Sequence, residues 1–193
     1  MRQVNKQKGF TIIELVVVIL LLGILTATAL PRFMDVTDEA HAAVVDGLVG
    51  GLATGSAMFR AQWYAEGQPN TVVEFANMKA LRSTGYPLGI VTGNSVMATS
   101  DDCKEIYENL LQPGRPSIGV KAAAAAALST IVTAATTDVV AYLNTTSSVT
   151  KRSCAFAYTG QYKVATATSP GTVPVINYNA ITGEVALGTA LSP

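Results

Sequence analysis

Charge is scarce in this chain, and so are the side chains that most often carry chemistry. Charged residues make up 13% of the 193 positions, with thirteen basic residues against thirteen acidic ones, where a soluble domain averages about 25% charged. No basic stripe is present to follow a phosphate backbone, which argues against nucleic acid as a ligand. Histidine occurs once, at His41, and cysteine twice, at Cys103 and Cys154. Two cysteines so far apart form no CxxC redox pair, and with one histidine they make a poor zinc set. The chain has no GxSxG elbow, no Walker loop and no GxGxxG fingerprint. Asp101 and Asp102 read as a solvated helix start rather than a cation site, and His41, beside Asp38 and Glu39, as a solvated helix-surface residue. Neither enzyme activity nor a metal or other cofactor is expected.

What the sequence has in excess is apolar surface: 49% of its residues are hydrophobic. A short basic leader, residues 1–9, carries Arg2, Lys6 and Lys8 and ends in Gly9. Behind it Phe10 opens an apolar run to Leu30, broken by a single carboxylate, Glu14. At about 1.5 Å per residue, a helix over positions 10–30 is about 31 Å long and spans a bilayer. A lone acid in such a span costs roughly 2.5–3.5 kcal/mol at the helix centre, so Glu14 calls for a partner.

Three ordinary readings compete. A secretory signal has a similar basic start and apolar core, and Ala27-Thr28-Ala29 offers an A-x-A cleavage site. Glu14 inside the core and Pro31 just past that site disfavour it. A plain transmembrane anchor explains the length but neither Gly9 nor Glu14. A buried core helix fits neither the length nor the basic flank.

Gly9, Phe10, Glu14 and the uninterrupted apolar stretch together resemble the class III signal of type IV pilins and the related pseudopilins. The resemblance implies cleavage between Gly9 and Phe10 by a prepilin peptidase, which also N-methylates the new Phe10 amine. Cleavage removes Arg2, Lys6 and Lys8, leaving ten basic and thirteen acidic side chains. It also creates a positive amine one helical turn from Glu14, within one chain or against a neighbour. Apart, the two charges are each expensive in lipid; paired, they are tolerable. Glu14 is therefore expected to set the register of incoming subunits. An even cysteine count in an exported chain reads as one disulfide, the alternative being two unconnected buried thiols. In type IV pilins such a pair staples the C-terminal region to the sheet, and many pseudopilins lack it.

Further along, Val44, Leu48, Leu52, Phe59 and Trp63 recur at helical spacing and predict an amphipathic continuation to about residue 64. Pro31 deprives the carbonyl of Ala27 of its hydrogen bond and should kink the helix, and Gly23 weakens it. In the family the stretch between such sites loosens on filament formation, which the resemblance carries to residues 23–31. Glu66-Gly67-Gln68-Pro69 should end the helix. Residues 70–97 read as a connecting region and 101–111 as a short helix with acids at its start. Residues 121–128 hold six consecutive alanines within a low-complexity insert, and Asn144-Thr145-Thr146 matches a weak glycosylation sequon. Strands are predicted at 138–143, 153–158, 161–167, 173–178 and 184–187, with a turn at 179–183. The fold class is α+β: one antiparallel sheet packed on the second half of a long, kinked N-terminal helix. The expected division is a leader at 1–9, a membrane or filament-core helix half at 10–32 and a globular domain at 33–193. Within the last, a helix half runs to about 65, a connecting region covers 66–136, and the sheet covers 137–193.

Within the family, the likeness is greatest to mannose-sensitive haemagglutinin (MSHA) pilins. It rests on the apolar block followed by Pro31-Arg32-Phe33, the Gly85-Tyr86-Pro87 triplet, and the Cys103 helix ending in Leu110-Leu111-Gln112. Cys154-Ala155-Phe156-Ala157-Tyr158 and the segment 176–185 complete it. The resemblance implies a subunit that polymerises with identical copies into a surface pilus for attachment, biofilm formation and, by retraction, motility. It implies as partners the prepilin peptidase, the inner-membrane assembly machinery with its ATPase, and the inner membrane itself, crossed once before assembly into an extracellular pilus. The alternatives are a pseudopilin of a type II secretion system and a tethered binding module that never polymerises.

Overall fold

Helix α1, Ile12–Ala65, dominates the computed structural model, which describes residues 10–90, 97–120, 136–143, 153–160 and 173–190. The chain divides into two units, residues 1–40 and 41–193. In the first, the stretch Ile12–Arg32 of α1 has a mean hydropathy of 2.7 and none of it is buried. The helix passes through Pro31 without a break.

In the second unit the remainder of α1 supplies one wall of the core. Val45, Leu48, Leu52, Phe59 and Trp63 are buried, with Ser56 between them, while Val44 is exposed. The stripe thus runs through Val45 rather than the expected Val44. Both valines stand at helical spacing from Leu48, and only the three-residue step keeps the side chain on the face that Leu48 and Leu52 share. Beyond Ala65 the chain turns through Gly67 and Gln68, both at positive φ, and the Trp63 indole N–H donates to the carbonyl of Pro69 at 3.2 Å.

The connecting region is more ordered than expected. Strands β1 (Val72–Val73), β2 (Met78–Ala80) and β3 (Pro87–Gly89) form a small antiparallel sheet. Strands of two or three residues carry no readable alternation; here the buried side chains of Val73, Met78 and Leu88 fix them to the core. Helix α2, Ser100–Leu110, follows, burying Cys103, Ile106, Tyr107 and Leu110. Asp102 is buried too, its Oδ2 accepting from the backbone N–H groups of Ala98 (2.8 Å) and Thr99 (3.2 Å). The carboxylate caps the helix instead of standing in solvent, so the reading of the Asp101-Asp102 pair as wholly solvated is corrected for Asp102.

The second sheet has the order β4-β5-β6-β7-β8, with β4 Ile118–Val120, β5 Val139–Leu143, β6 Ser153–Tyr158, β7 Val173–Asn179 and β8 Val185–Ala190. β5 to β8 are antiparallel neighbours, but β4 runs parallel to β5, so this sheet is mixed. Cys154, Phe156 and Tyr158 face the main core, as their alternation predicts. Ala155 and Ala157 lie on the opposite face with Val173 and Val175 in a second small cluster. The strand expected at 161–167, the sequon at 144–146 and the alanine run at 121–128 lie outside the described residues.

One corner explains the Gly85-Tyr86-Pro87 triplet. Gly85 and Gly183 both have positive φ; a Cβ on the first would overlap the Trp63 ring, and one on the second the Tyr86 ring. Glycine is required at both by conformation and by space. Arg60 fastens the corner, its Nε–H donating to the Thr84 carbonyl at 2.9 Å and its guanidinium lying 4.8 Å from the Tyr86 ring centroid. The Thr84 hydroxyl in turn donates to the carbonyl of Ala180 at 2.9 Å.

Candidate functional site

The functional residues expected from sequence cluster at the start of α1. Gly9 lies outside the described residues. Phe10 is 93% exposed and precedes a helix start built by Thr11 and Glu14. The Thr11 backbone N–H and its hydroxyl both donate to Glu14 Oε2 at 2.8 Å, and the Glu14 N–H donates to Thr11 Oγ1 at 3.3 Å. This reciprocal pair is a capping box, T-x-x-E, with Thr11 as N-cap and Glu14 at the third helical position. Sequence reasoning passed over Thr11, although the spacing Thr11-Ile12-Ile13-Glu14 carries the signal. The lone carboxylate of the apolar stretch thus has two local donors within its own helix. Severing the Gly9–Phe10 bond would place an ammonium one residue from that cap, where the carboxylate can accept from it as well.

Beyond the cap, large apolar side chains from Ile12 to Leu25 stand 48–81% exposed. The two threonine hydroxyls in the span are satisfied within the helix: Thr26 donates to the carbonyls of Leu22 (2.8 Å) and Gly23 (3.0 Å), Thr28 to that of Leu25 (3.0 Å). Lipid demands such satisfaction, and back-bonding threonines also loosen a helix locally. They lie between Gly23, around which a Cβ would meet open space, and Pro31, the residues expected to weaken α1.

The second expected feature is in the globular unit. Cys103 of α2 and Cys154 of β6 are joined in a disulfide with a Cα–Cα distance of 5.4 Å, both residues fully buried. The bond ties α2 to the middle of the large sheet.

His41 departs from expectation. It is half-buried, and its Nδ1 lies 2.8 Å from the hydroxyl of Tyr158 at the end of β6. A hydrogen bond from α1 to the sheet replaces the solvated residue expected, because the sheet's last β6 residue reaches the helix at that turn. Among the described residues no group of three or more His, Cys, Asp or Glu could hold a metal ion.

An uncovered apolar stretch headed by an acid-bearing cap, followed in the chain by a disulfide-closed α+β unit, is the architecture of a chain with an apolar N-terminal anchor. The prokaryotic N-terminal methylation motif matches residues 4–30. The type IV narrow pilus major component PilA5 of Thermus thermophilus is 39% identical over 104 residues, 54% of this chain and 80% of that protein. A type IV major pilin protein PilE1 of Neisseria gonorrhoeae is 35% identical over 86 residues, 45% of this chain and 33% of its own length. The type II secretion system core protein G of Pseudomonas aeruginosa is 36% identical over 63 residues, 33% of this chain and 44% of its own. No solved structure gives a significant match. The chain belongs to the type IV pilin family, whose members are structural subunits and not enzymes.

Proposed function

We propose that this chain is cut between Gly9 and Phe10 by a prepilin peptidase, N-methylated on Phe10, and polymerised with identical copies into a pilus of the MSHA kind. The observation that carries the reading is the wholly uncovered apolar stretch Ile12–Arg32, whose one acid is Glu14. That surface is stable in the inner membrane as a single-pass precursor, and outside the membrane only among other copies of itself. The assembly machinery and its ATPase would transfer subunits between the two environments. In the membrane, the Phe10 amine of an incoming subunit would meet Glu14 of one already in place and set its axial position. Residues 23–31, with Gly23, two back-bonding threonines and Pro31, would kink or loosen as copies pack. The filament would serve attachment, biofilm formation and motility.

A second reading, a pseudopilin of a type II secretion system, is favoured by the similarity to core protein G. The buried disulfide and the 80% coverage of the narrow pilus component weigh towards the pilus. Electron microscopy of cells lacking the chain separates the two: loss of long surface fibres supports the pilus, whereas intact fibres with blocked protein export support the pseudopilin. In the same cells Glu14→Gln should leave cleavage intact and abolish fibres; fibres at normal yield would contradict the register role.

A further inference from the structure

The globular unit carries an apolar groove of about 580 Å³ between α1 and the end of α2. Its walls are Met58 (54% exposed), Phe75 (45% exposed) and the half-buried Leu111. Its floor is low because Gly51 and Gly55 stand where a Cβ would come 2.6 Å from Leu111 Cδ2 and 2.9 Å from Leu110 Cβ. Apolar side chains exposed around a concave surface mark a contact site. One cation borders the groove. Arg115 Nη1 donates to the carbonyls of Leu111 (3.3 Å) and Gln112 (3.5 Å), and the one ion pair among the described residues is Lys104–Glu108. Of the five guanidinium N–H donors, those on Nε and Nη2 of Arg115 have no partner among the described residues.

A fitting occupant presents an apolar tip with a carboxylate beside it. Among the exposed large apolar side chains of this unit outside the groove, Ile181 is the one carried by a turn with an acid three residues on, Glu184. That turn, between β7 and β8, is held before any partner arrives. The Ile181 N–H donates to Asn179 Oδ1 at 2.8 Å, the Gly183 N–H to the Asn179 carbonyl at 2.7 Å, and the Asn179 N–H to the Glu184 carbonyl at 3.0 Å. A preordered turn loses little freedom on docking.

We propose that the groove receives the β7–β8 turn of a second copy of this chain, Ile181 lying between Met58 and Phe75 and Glu184 pairing with Arg115. The contact rests on the filament reading given above and adds the two unlike surfaces by which globular units would meet. Groove and turn share no residue, so each copy can use both at once. Such a contact is heterologous and propagates along an open polymer instead of closing into a dimer.

The test uses filaments sheared from cells producing the full chain with Met58→Cys and Ile181→Cys together. A ladder of covalent oligomers under non-reducing conditions is expected, absent from either single variant; filaments at normal yield without a ladder would overturn the contact. Should the double-cysteine chain form no filaments, the charges decide. Arg115→Glu and Glu184→Lys should each lower filament yield about tenfold or more, and their combination should restore most of it. Unchanged single variants, or no recovery in the combination, would equally overturn it. Cells with the unaltered chain that make no filaments would refute the filament reading itself.

Discussion

Glu14 shows how a carboxylate in an apolar helix is supported from within that helix. A carboxylate in a membrane helix costs roughly 2.5–3.5 kcal/mol when it is unsupported, and the Thr11 cap supplies it with two donors inside its own helix. The buried tyrosines pose a related problem. Tyr178 is fully buried, its hydroxyl donating to the Pro87 carbonyl at 3.0 Å, and Tyr107 donates to that of Pro116 at 3.0 Å. Burial pushes both hydroxyls above the ordinary tyrosine range, because the phenolate would lose water and face a carbonyl. A group whose folded pKa is raised contributes stability that is intact below its unfolded value, about 10, and lost as pH rises beyond it. The detergent-solubilised chain should therefore hold its melting temperature from neutral pH to about 9 and lose it above about 10. Circular dichroism melts across that range check this, and Tyr178→Phe should flatten the alkaline fall. A fall already complete by pH 8 would point to another group.

At the scale of elements, α1 does two jobs with one backbone. Its first part exposes an apolar surface all round, and its second buries a stripe that ends in Phe59 and Trp63. The stripe was legible to within one position because helical spacing marks a face, but not which of two adjacent valines points inward. The strands β5 to β8 were legible from β-branched and aromatic runs. The sheet β1-β2-β3 and the parallel strand β4 were not, since two- and three-residue strands owe their form to long-range packing rather than to local pattern. The cap at Asp102 and the His41–Tyr158 bond depend likewise on what the fold brings near. The disulfide reading needed only an exported chain and two cysteines. Closing a loop of 51 residues, it should stabilise the fold by about 4 kcal/mol on the chain-entropy account. Cys103→Ser with Cys154→Ser is expected to lower the melting temperature by roughly 10 °C or more. A change below about 2 °C would mean the unfolded chain is already constrained without the bond.

For the whole molecule the governing fact is an imbalance. The globular unit gathers a core of buried apolar side chains, while the stretch Ile12–Arg32 buries none. On the reading proposed above, lipid or the same stretch of other copies covers those 21 residues of mean hydropathy 2.7. The basic leader would place an amide, not an amine, ahead of Glu14, so on the proposed reading removal of the leader would be the step on which assembly turns. Edman sequencing and mass spectrometry of the subunit in sheared surface fibres test this directly. The account predicts a chain that begins at Phe10, heavier by one methyl group at its amine. Fibres built of chains that still carry Met1, or that begin at Leu30 after the A-x-A site, would contradict it.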